Sequence, residues 1–405
     1  MRILIITNKL PYPPKDGGAI ATFSLAENLS EIVEKIDVVA INTSKHYFDI
    51  KNIPADFTEK ISFFDFFLNT DIKVLKLLVN FLFSSLPYNA ERFINKGFED
   101  KIIELLSINK YDVVQFEGLY VLSYLKTVRK FSNALISYRS HNIEHEIWQR
   151  TLDQTKGFFK RFYVKILTKR LKKFELSFIN SYDLIVPITN RDSEKFEEFG
   201  NKKPSLTIPT GVIIENYKST EILPEKNSVF HIGALDWSPN QEGLLWFIDN
   251  CWPIVIAQKP EVKFYIAGRN APKWFISKMK LQKNIVFVGE VDDAQQFINS
   301  KQIMIVPLLS GGGMRIKIIE GMALAKAIVT TSIGIEGIPA NNNEQVVIED
   351  NSEQFAQRII ELINQPQKAV EIGNSAKIFV SENFDNFAIA KKLYGFYDNR
   401  LKINK

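Results

Sequence analysis

Two series of short apolar runs, rich in Ile and Val and separated by stretches of helical periodicity, constrain this chain more than any other feature. The first series is RILIIT (2–7), IDVVAINT (36–43), YDVVQF (111–116), ALISYRS (134–140) and DLIVPIT (183–189). Runs this short, continuous in apolar character and not alternating, are what strands of a parallel sheet show when helices cover both faces. The pattern then restarts with SVFHIGAL (228–235), VKFYIAG (262–268), NIVFVGEV (284–291), IMIVPLL (303–309) and AIVTTSIG (327–334). The fold class expected is therefore α/β, with two Rossmann-like, doubly wound domains facing a cleft.

A chain of 405 residues suits this division, because single hydrophobic cores stop growing well below that length. Residues 1–207 form the first expected domain and 228–384 the second. Residues 208–227, IPTGVIIENYKSTEILPEKN, have the Pro, Gly and polar content of a linker. The pattern after residue 350 is helical, starting with SEQFAQRIIELINQ (352–365). Residues 385–405 are expected to form a helix that packs back on the first domain.

The formal net charge of +5 is mild for a Lys-rich chain and does not call for nucleic acid. Cys251, the only cysteine, excludes an internal disulfide and a cysteine-based zinc cage, and fits the cytoplasm. The apolar run after Arg2 is too short for a signal peptide, and no stretch approaches the roughly 20 apolar residues of a spanning helix.

One charge cluster stands out. GFFKRFYVKILTKRLKKFELSF (157–178) carries Lys160, Arg161, Lys165, Lys169, Arg170, Lys172 and Lys173. Phe159, Phe162, Tyr163, Ile166, Leu167, Leu171 and Phe174 recur between them at helical spacing. Such a helix could lie on an anionic membrane, peripheral on the inner face of the cell membrane, or pack its apolar face on its own domain.

The motif with most chemical content is SGGGMRIKIIEGMA, Ser310 to Ala323. A buried strand precedes it, three glycines let a backbone approach a ligand closely, and a helix follows. N–H groups at a helix start favour an anion, and ligands of open α/β sheets bind beyond the carboxyl ends of the strands. Arg315 and Lys317 can add charge-assisted bonds to a phosphate, and Glu320 can accept bonds from vicinal sugar hydroxyls. The stretch reads as a cradle for a nucleoside diphosphate; the competing reading is a glycine turn before a surface helix with solvated cations. It is neither a Walker A loop nor a G-x-G-x-x-G turn.

At these residues the chain resembles the retaining glycosyltransferases of GT-B architecture, family 4 type, also called group 1. The resemblance spans nearly the whole chain and is strongest over residues 284–337. It implies that Glu320 binds the ribose of a nucleotide-sugar donor, UDP- or GDP-linked, with no cofactor or metal. The family's E-x7-E pair is incomplete here, since Gly312 occupies the place of the first glutamate. At GALDWSPNQEG (233–243), where many relatives place Arg and Lys on the diphosphate, this chain has Ala234, Asn240, Gln241 and Glu242. Arg315 and Lys317 are thus expected to neutralise the diphosphate, with Asn240 either a further contact or a helix cap.

The resemblance also implies donor contacts from Gly17 and Gly18 in the loop of residues 11–29, from Gly289 and Glu290 near the base, and from Gly311, Gly312, Gly313 and Met314. In SYRSHNIEHEIWQR it implies that His141 touches the donor sugar or its phosphate. His141, Arg315 and Lys317 are then the expected catalytic residues. The same segment spells H-x-x-E-H with Glu144 and His145, a zinc-peptidase pattern, but His141 ends a strand and the pattern needs both histidines on one helix. No D-x-D occurs.

The activity implied is sugar transfer, with retention of anomeric configuration, to a glycan or lipid-linked acceptor, and no nucleic acid as partner. A sugar-nucleotide epimerase would need acid and base groups around the sugar and no acceptor. An inactive binding protein would hold the nucleotide sugar without transfer, and Gly312 in place of a carboxylate motivates it.

Overall fold

A computed structural model describes residues 1–217 and 223–403. The chain divides into two compact units, Met1–Thr210 with Asn386–Lys405, and Gly211–Asp385. Residues 218–222 of the expected linker and the last two residues of the expected C-terminal helix lie outside the described residues.

The first unit is built on six parallel strands: β1 (Arg2–Thr7), β2 (Lys35–Thr43), β3 (Ile61–Leu68), β4 (Val113–Glu117), β5 (Leu135–Ser140) and β6 (Leu184–Pro187). Their order is β3-β2-β1-β4-β5-β6. Ile3 to Ile6 of β1 have no exposed surface, because helices cover both faces. The chain's direction of travel across the sheet reverses between β1 and β4, where Thr7 stands opposite Glu117. Ligands of such sheets bind at the strand ends beside this reversal.

The second unit repeats the plan with β7 (Glu225–Ile232), β8 (Lys263–Ala267), β9 (Ile285–Gly289), β10 (Lys301–Val306), β11 (Ala327–Thr330) and β12 (Val347–Ile348), in the order β12-β11-β10-β7-β8-β9. Here the reversal falls between β7 and β10. The segment GALDWSPNQEG leaves the end of the first of these strands, and the glycine loop leaves the end of the second.

Two strands escape the sequence pattern, both at sheet edges. β3, ISFFDFFL, is half-exposed along most of its length, so its aromatic run lacks the buried β-branched signature. β12 has only two residues, too few for any periodicity.

The last helix, Asn386–Ile403, packs in the first unit against the helix Gly17–Ser30. Ile389, Ala390 and Leu393 join the core formed by Ile3, Ile5 and Leu25. Tyr397 is fully buried; its hydroxyl donates to Gln115 Oε1 at 2.6 Å and lies 2.9 Å from Ser137 Oγ, tying the helix to β4 and β5.

The basic cluster forms the helix Phe158–Leu176. Its apolar residues divide in a way the spacing did not indicate. Leu167, Leu171 and Phe174 are buried in the first unit, whereas Phe159 and Phe162 are exposed. Of the two readings, packing on the helix's own domain accounts for Leu167, Leu171 and Phe174, while Phe159 and Phe162 at its start are left facing outward. No described helix is long and apolar enough to cross a membrane.

Candidate functional site

In the second unit, the chain beyond β10 turns through Ser310–Gly313 into the helix Ile316–Ala323. Gly311 has φ 108° and Gly313 φ 75°, in the left-handed region that side chains disfavour. A Cβ on Gly311 would also stand 3.1 Å from side-chain atoms of both Arg315 and Trp237, so a larger residue there would be strained and would have to displace them. Met314 is nearly buried beneath the turn.

Arg315 immediately precedes the helix and is 5% exposed. Its guanidinium does not extend as a surface cation would. It donates through Nη1 to the carbonyls of Gly312 and Gly313, and it lies over the Trp237 ring, 5.6 Å from the centroid. Arg315 thus shapes the glycine loop and brings positive charge beneath it.

Lys317 lies one residue into the helix, and its Nζ donates to Asn240 Oδ1 at 2.8 Å. The amide nitrogen of Asn240 donates in turn to Ala234 O at 2.8 Å. Asn240 is buried within the helix Ser238–Trp246 and caps nothing: it spans from the end of β7 to the lysine on the β10 side. Gly233 makes room for this contact, since a Cβ there would stand 2.7 Å from Lys317 Nζ. Burial first, and then the charge of Arg315, push the Lys317 ammonium down to about 7 despite the opposing influence of Glu320. An ammonium this poorly solvated gains from an incoming anion.

Glu320 lies one turn beyond Lys317 and accepts a bond from the Tyr217 hydroxyl at 3.1 Å. Burial raises its pKa, and Tyr217 and Lys317 offset this in part. Lys317, Glu320, Asn240 and the glycine loop therefore share one end of the sheet. Gly289 ends the edge strand β9, two strands away from β7, and Glu290, which follows it, is exposed.

The first unit holds a separate cavity of about 520 Å3 at the carboxyl ends of its strands. Gly18 and His141 both line it. Gly17 opens the helix Gly17–Ser30, which Asp16 caps by accepting from Ala19 N at 3.1 Å. His141 follows β5, and its Nε2 lies 2.5 Å from Glu117 Oε2. Its Nδ1 faces Gly18, where a Cβ would stand 3.7 Å away.

Glu117 is the candidate site residue that sequence reasoning missed. It ends β4 at the reversal of strand order, 2% exposed. Thr22 donates to it at 3.1 Å and Arg139 at 3.2 Å, and Gln115 donates to its other oxygen. Burial alone would raise its pKa; the charges of Arg139 and His141 and the bonds from His141 and Gln115 outweigh it and hold the carboxyl at about 2. Glu117 therefore stays ionised and fixes the imidazole with Nε2 as donor, which leaves Nδ1 toward the cavity. A carboxylate at the end of the apolar run VVQFE was the one available signal.

The other two members of the H-x-x-E-H string have different partners. His145 Nδ1 lies 2.6 Å from Glu175 Oε2, and Glu175 also accepts from the backbone N–H groups of Glu144 and His145 at the start of their helix. Glu144 accepts from the Tyr120 hydroxyl at 3.0 Å; burial and then the charge of Glu175 push its carboxyl up to about 7.

Residues 226–365, which contain the glycine loop, Asn240, Lys317 and Glu320, match the family model described as glycosyl transferases group 1. The second unit is a group 1 glycosyltransferase domain. A Klebsiella pneumoniae protein described as an uncharacterized 44.6 kDa protein in the cps region is 25% identical to the chain, over 97% of the chain and 99% of its own length. Among solved structures, the Anabaena protein HepE in complex with UDP superposes with a TM-score of 0.67 at 16% identity, covering 98% of this chain and 100% of that one. Sucrose-phosphate synthase from Thermosynechococcus elongatus gives a TM-score of 0.73 at 15% identity, with both chains fully covered. These likenesses show that the chain shares with them the α/β fold of two parallel sheets.

Proposed function

We propose that this glycosyltransferase moves a sugar from a nucleoside diphosphate to a hydroxyl of a glycan or lipid-linked acceptor, with retention of configuration and no metal. The observation that carries this reading is the poorly solvated Lys317, fixed by Asn240 beside the glycine loop at the reversal of the second sheet. The glycine loop brings backbone N–H groups and Lys317 supplies charge to the diphosphate, while Glu320 accepts from the ribose hydroxyls. UDP is the favoured nucleotide, with GDP next, since a neighbouring fold is known with UDP bound.

The acceptor belongs in the cavity of the first unit, whose lining includes the cations Lys9, Lys45 and Arg92. In the transfer, the acceptor oxygen forms a bond to the anomeric carbon as the bond from that carbon to the diphosphate oxygen breaks. The acceptor's proton passes to the departing phosphate on the same face of the sugar, so no protein nucleophile is needed. Lys317 stabilises the charge that builds on the leaving group. His141, locked by Glu117, offers Nδ1 to a sugar hydroxyl or phosphate oxygen and so positions the reacting carbon.

The test is transfer from UDP- and GDP-sugars to a glycan extract and a lipid-linked acceptor extract, with the anomeric configuration of the product read by NMR and a chelator present throughout. A product of inverted configuration, or turnover that needs an added divalent ion, counts against the mechanism. Isomerised free nucleotide sugar without acceptor would point to an epimerase.

A proton-linkage result follows from Lys317. Below pH 7 its ammonium is already charged, whereas above it the bound diphosphate must draw a proton onto the amine. Calorimetry of UDP binding at alkaline pH, in buffers of different ionisation heat, is expected to show uptake of about one proton, with affinity falling as pH rises. Binding without proton uptake would place the phosphates away from Lys317.

A further inference from the structure

The helix Val74–Phe83 has its sides reversed. Its buried residue is polar: the Asn80 amide donates to Leu86 O at 3.1 Å and to Glu91 Oε2 at 2.7 Å. Val74, Leu75, Leu78, Val79, Leu82 and Phe83 face outward, from 50% exposed at Leu78 to 82% at Phe83. Their spacing, i, i+1, i+4, i+5, i+8 and i+9, places them in one stripe along the helix. Isolated exposed leucines need no explanation, but a stripe of this extent on one helix calls for an apolar environment.

The start of the helix Phe158–Leu176 extends the same surface. Phe158, Phe159 and Phe162 are 79%, 86% and 53% exposed. The two helices are fixed to each other: the Phe81 ring meets those of Phe162 and Tyr163 at 6.5 and 5.7 Å, and Arg170 donates to Asn80 O at 3.1 Å and Phe81 O at 2.8 Å.

Charge decides what covers this surface. From Phe158 and Phe162 the exposed stripe of the second helix continues through Lys165, Lys169 and Lys172, and Lys73 and Lys76 are exposed on the first. Residues 72–83 contain no acid, and residues 158–176 contain only Glu175, which is buried against His145. Apolar side chains collared by lysines match the interface of an anionic bilayer, where acyl chains take the first and headgroup phosphates the second.

We propose that this face docks on an anionic membrane, with Leu75, Leu78, Leu82, Phe83, Phe158 and Phe159 entering the headgroup and acyl boundary. Thr70, Asp71 and Ile72, which immediately precede the reversed helix, line the cavity of the first unit. The mouth of that cavity thereby lies beside the bilayer, suited to an acceptor anchored there by a lipid. The docking stands apart from the transfer reaction, whereas the lipid-linked acceptor rests on it.

The test is cosedimentation of the full chain with vesicles of phosphatidylcholine, with and without phosphatidylglycerol. The wild type is expected to bind the anionic vesicles and to leave the neutral ones largely unbound, with binding weakened by salt. The triple variant Leu78→Ser, Leu82→Ser, Phe83→Ser is expected to weaken binding by on the order of a hundredfold. On the separate helix, Phe158→Ser with Phe159→Ser is expected to weaken it by about tenfold.

Both variants remove only exposed side chains, so their circular dichroism and nucleotide-sugar binding should match the wild type. Failure of the wild type to bind anionic vesicles, or equal binding by both variants, overturns the proposal. So does a wild-type dimer that the triple variant dissociates while neither binds vesicles, which would assign the face to a second copy. Vesicle binding by a chain that binds no nucleotide sugar would leave the docking intact and remove the transferase reading.

Discussion

Replacing His141 with alanine is expected to lower turnover by about 10²–10³-fold while changing donor affinity by no more than about threefold. The separation arises because the residues proposed to bind the nucleotide lie in the second unit, while His141 lines the cavity of the first. Its Nε2 is committed to Glu117, so what the substitution removes is the Nδ1 contact with the reacting sugar or its phosphate. Steady-state kinetics alongside calorimetric donor binding distinguish this from a structural defect. A variant that loses donor affinity but keeps its turnover would mean that His141 binds the ground state and contributes nothing further to the transition state.

Glu117→Ala should cost both stability and activity. The substitution leaves Arg139, 1% exposed, without its carboxylate partner, and breaking a buried pair of this kind typically costs about 3–5 kcal/mol. Glu117→Gln keeps the volume and part of the hydrogen bonding, so it should fall between the two. The pH dependence has a defined sign. Because the native carboxyl is held at about 2, below its unfolded value, its stabilising contribution is present above the usual carboxylate range and is lost as pH falls through that range toward 2. Urea unfolding at neutral pH should separate wild type from Glu117→Ala widely, and the gap should narrow in acid. Equal stabilities at neutral pH would show that Arg139 finds sufficient partners without Glu117.

The sheets were legible in the sequence wherever strands are buried on both faces, because burial of that kind demands continuous runs such as Ile3 to Ile6 and Ile303 to Val306. The reading failed at two of the four sheet edges, where β3 is half-exposed and aromatic and β12 is two residues long. The glycine loop was legible because its chemistry is local. The partners of its side chains were not: Asn240 reaches Lys317 from 77 positions away, and the inward turn of Arg315 onto its own loop depends on Trp237. Glu117 and His141 are 24 positions apart and meet only because β4 and β5 are neighbours in the sheet. The reversed helix Val74–Phe83 shows the same limit from the other side. An apolar stripe reads as core in any sequence, and only tertiary packing, with Asn80 turned inward, shows that it faces out.

The central claim is that the end of the second sheet holds a nucleoside diphosphate sugar on Lys317 and the glycine loop. The most direct measurement is calorimetric titration of UDP-, GDP-, ADP- and CMP-linked sugars into the wild type and into Lys317→Ala. One nucleotide class, UDP first, should bind the wild type, and its affinity should fall about 10- to 100-fold in the variant as the charge-assisted contact to phosphate is lost. Binding that the substitution leaves unchanged, or no binding of any nucleotide sugar by the wild type, would contradict the site.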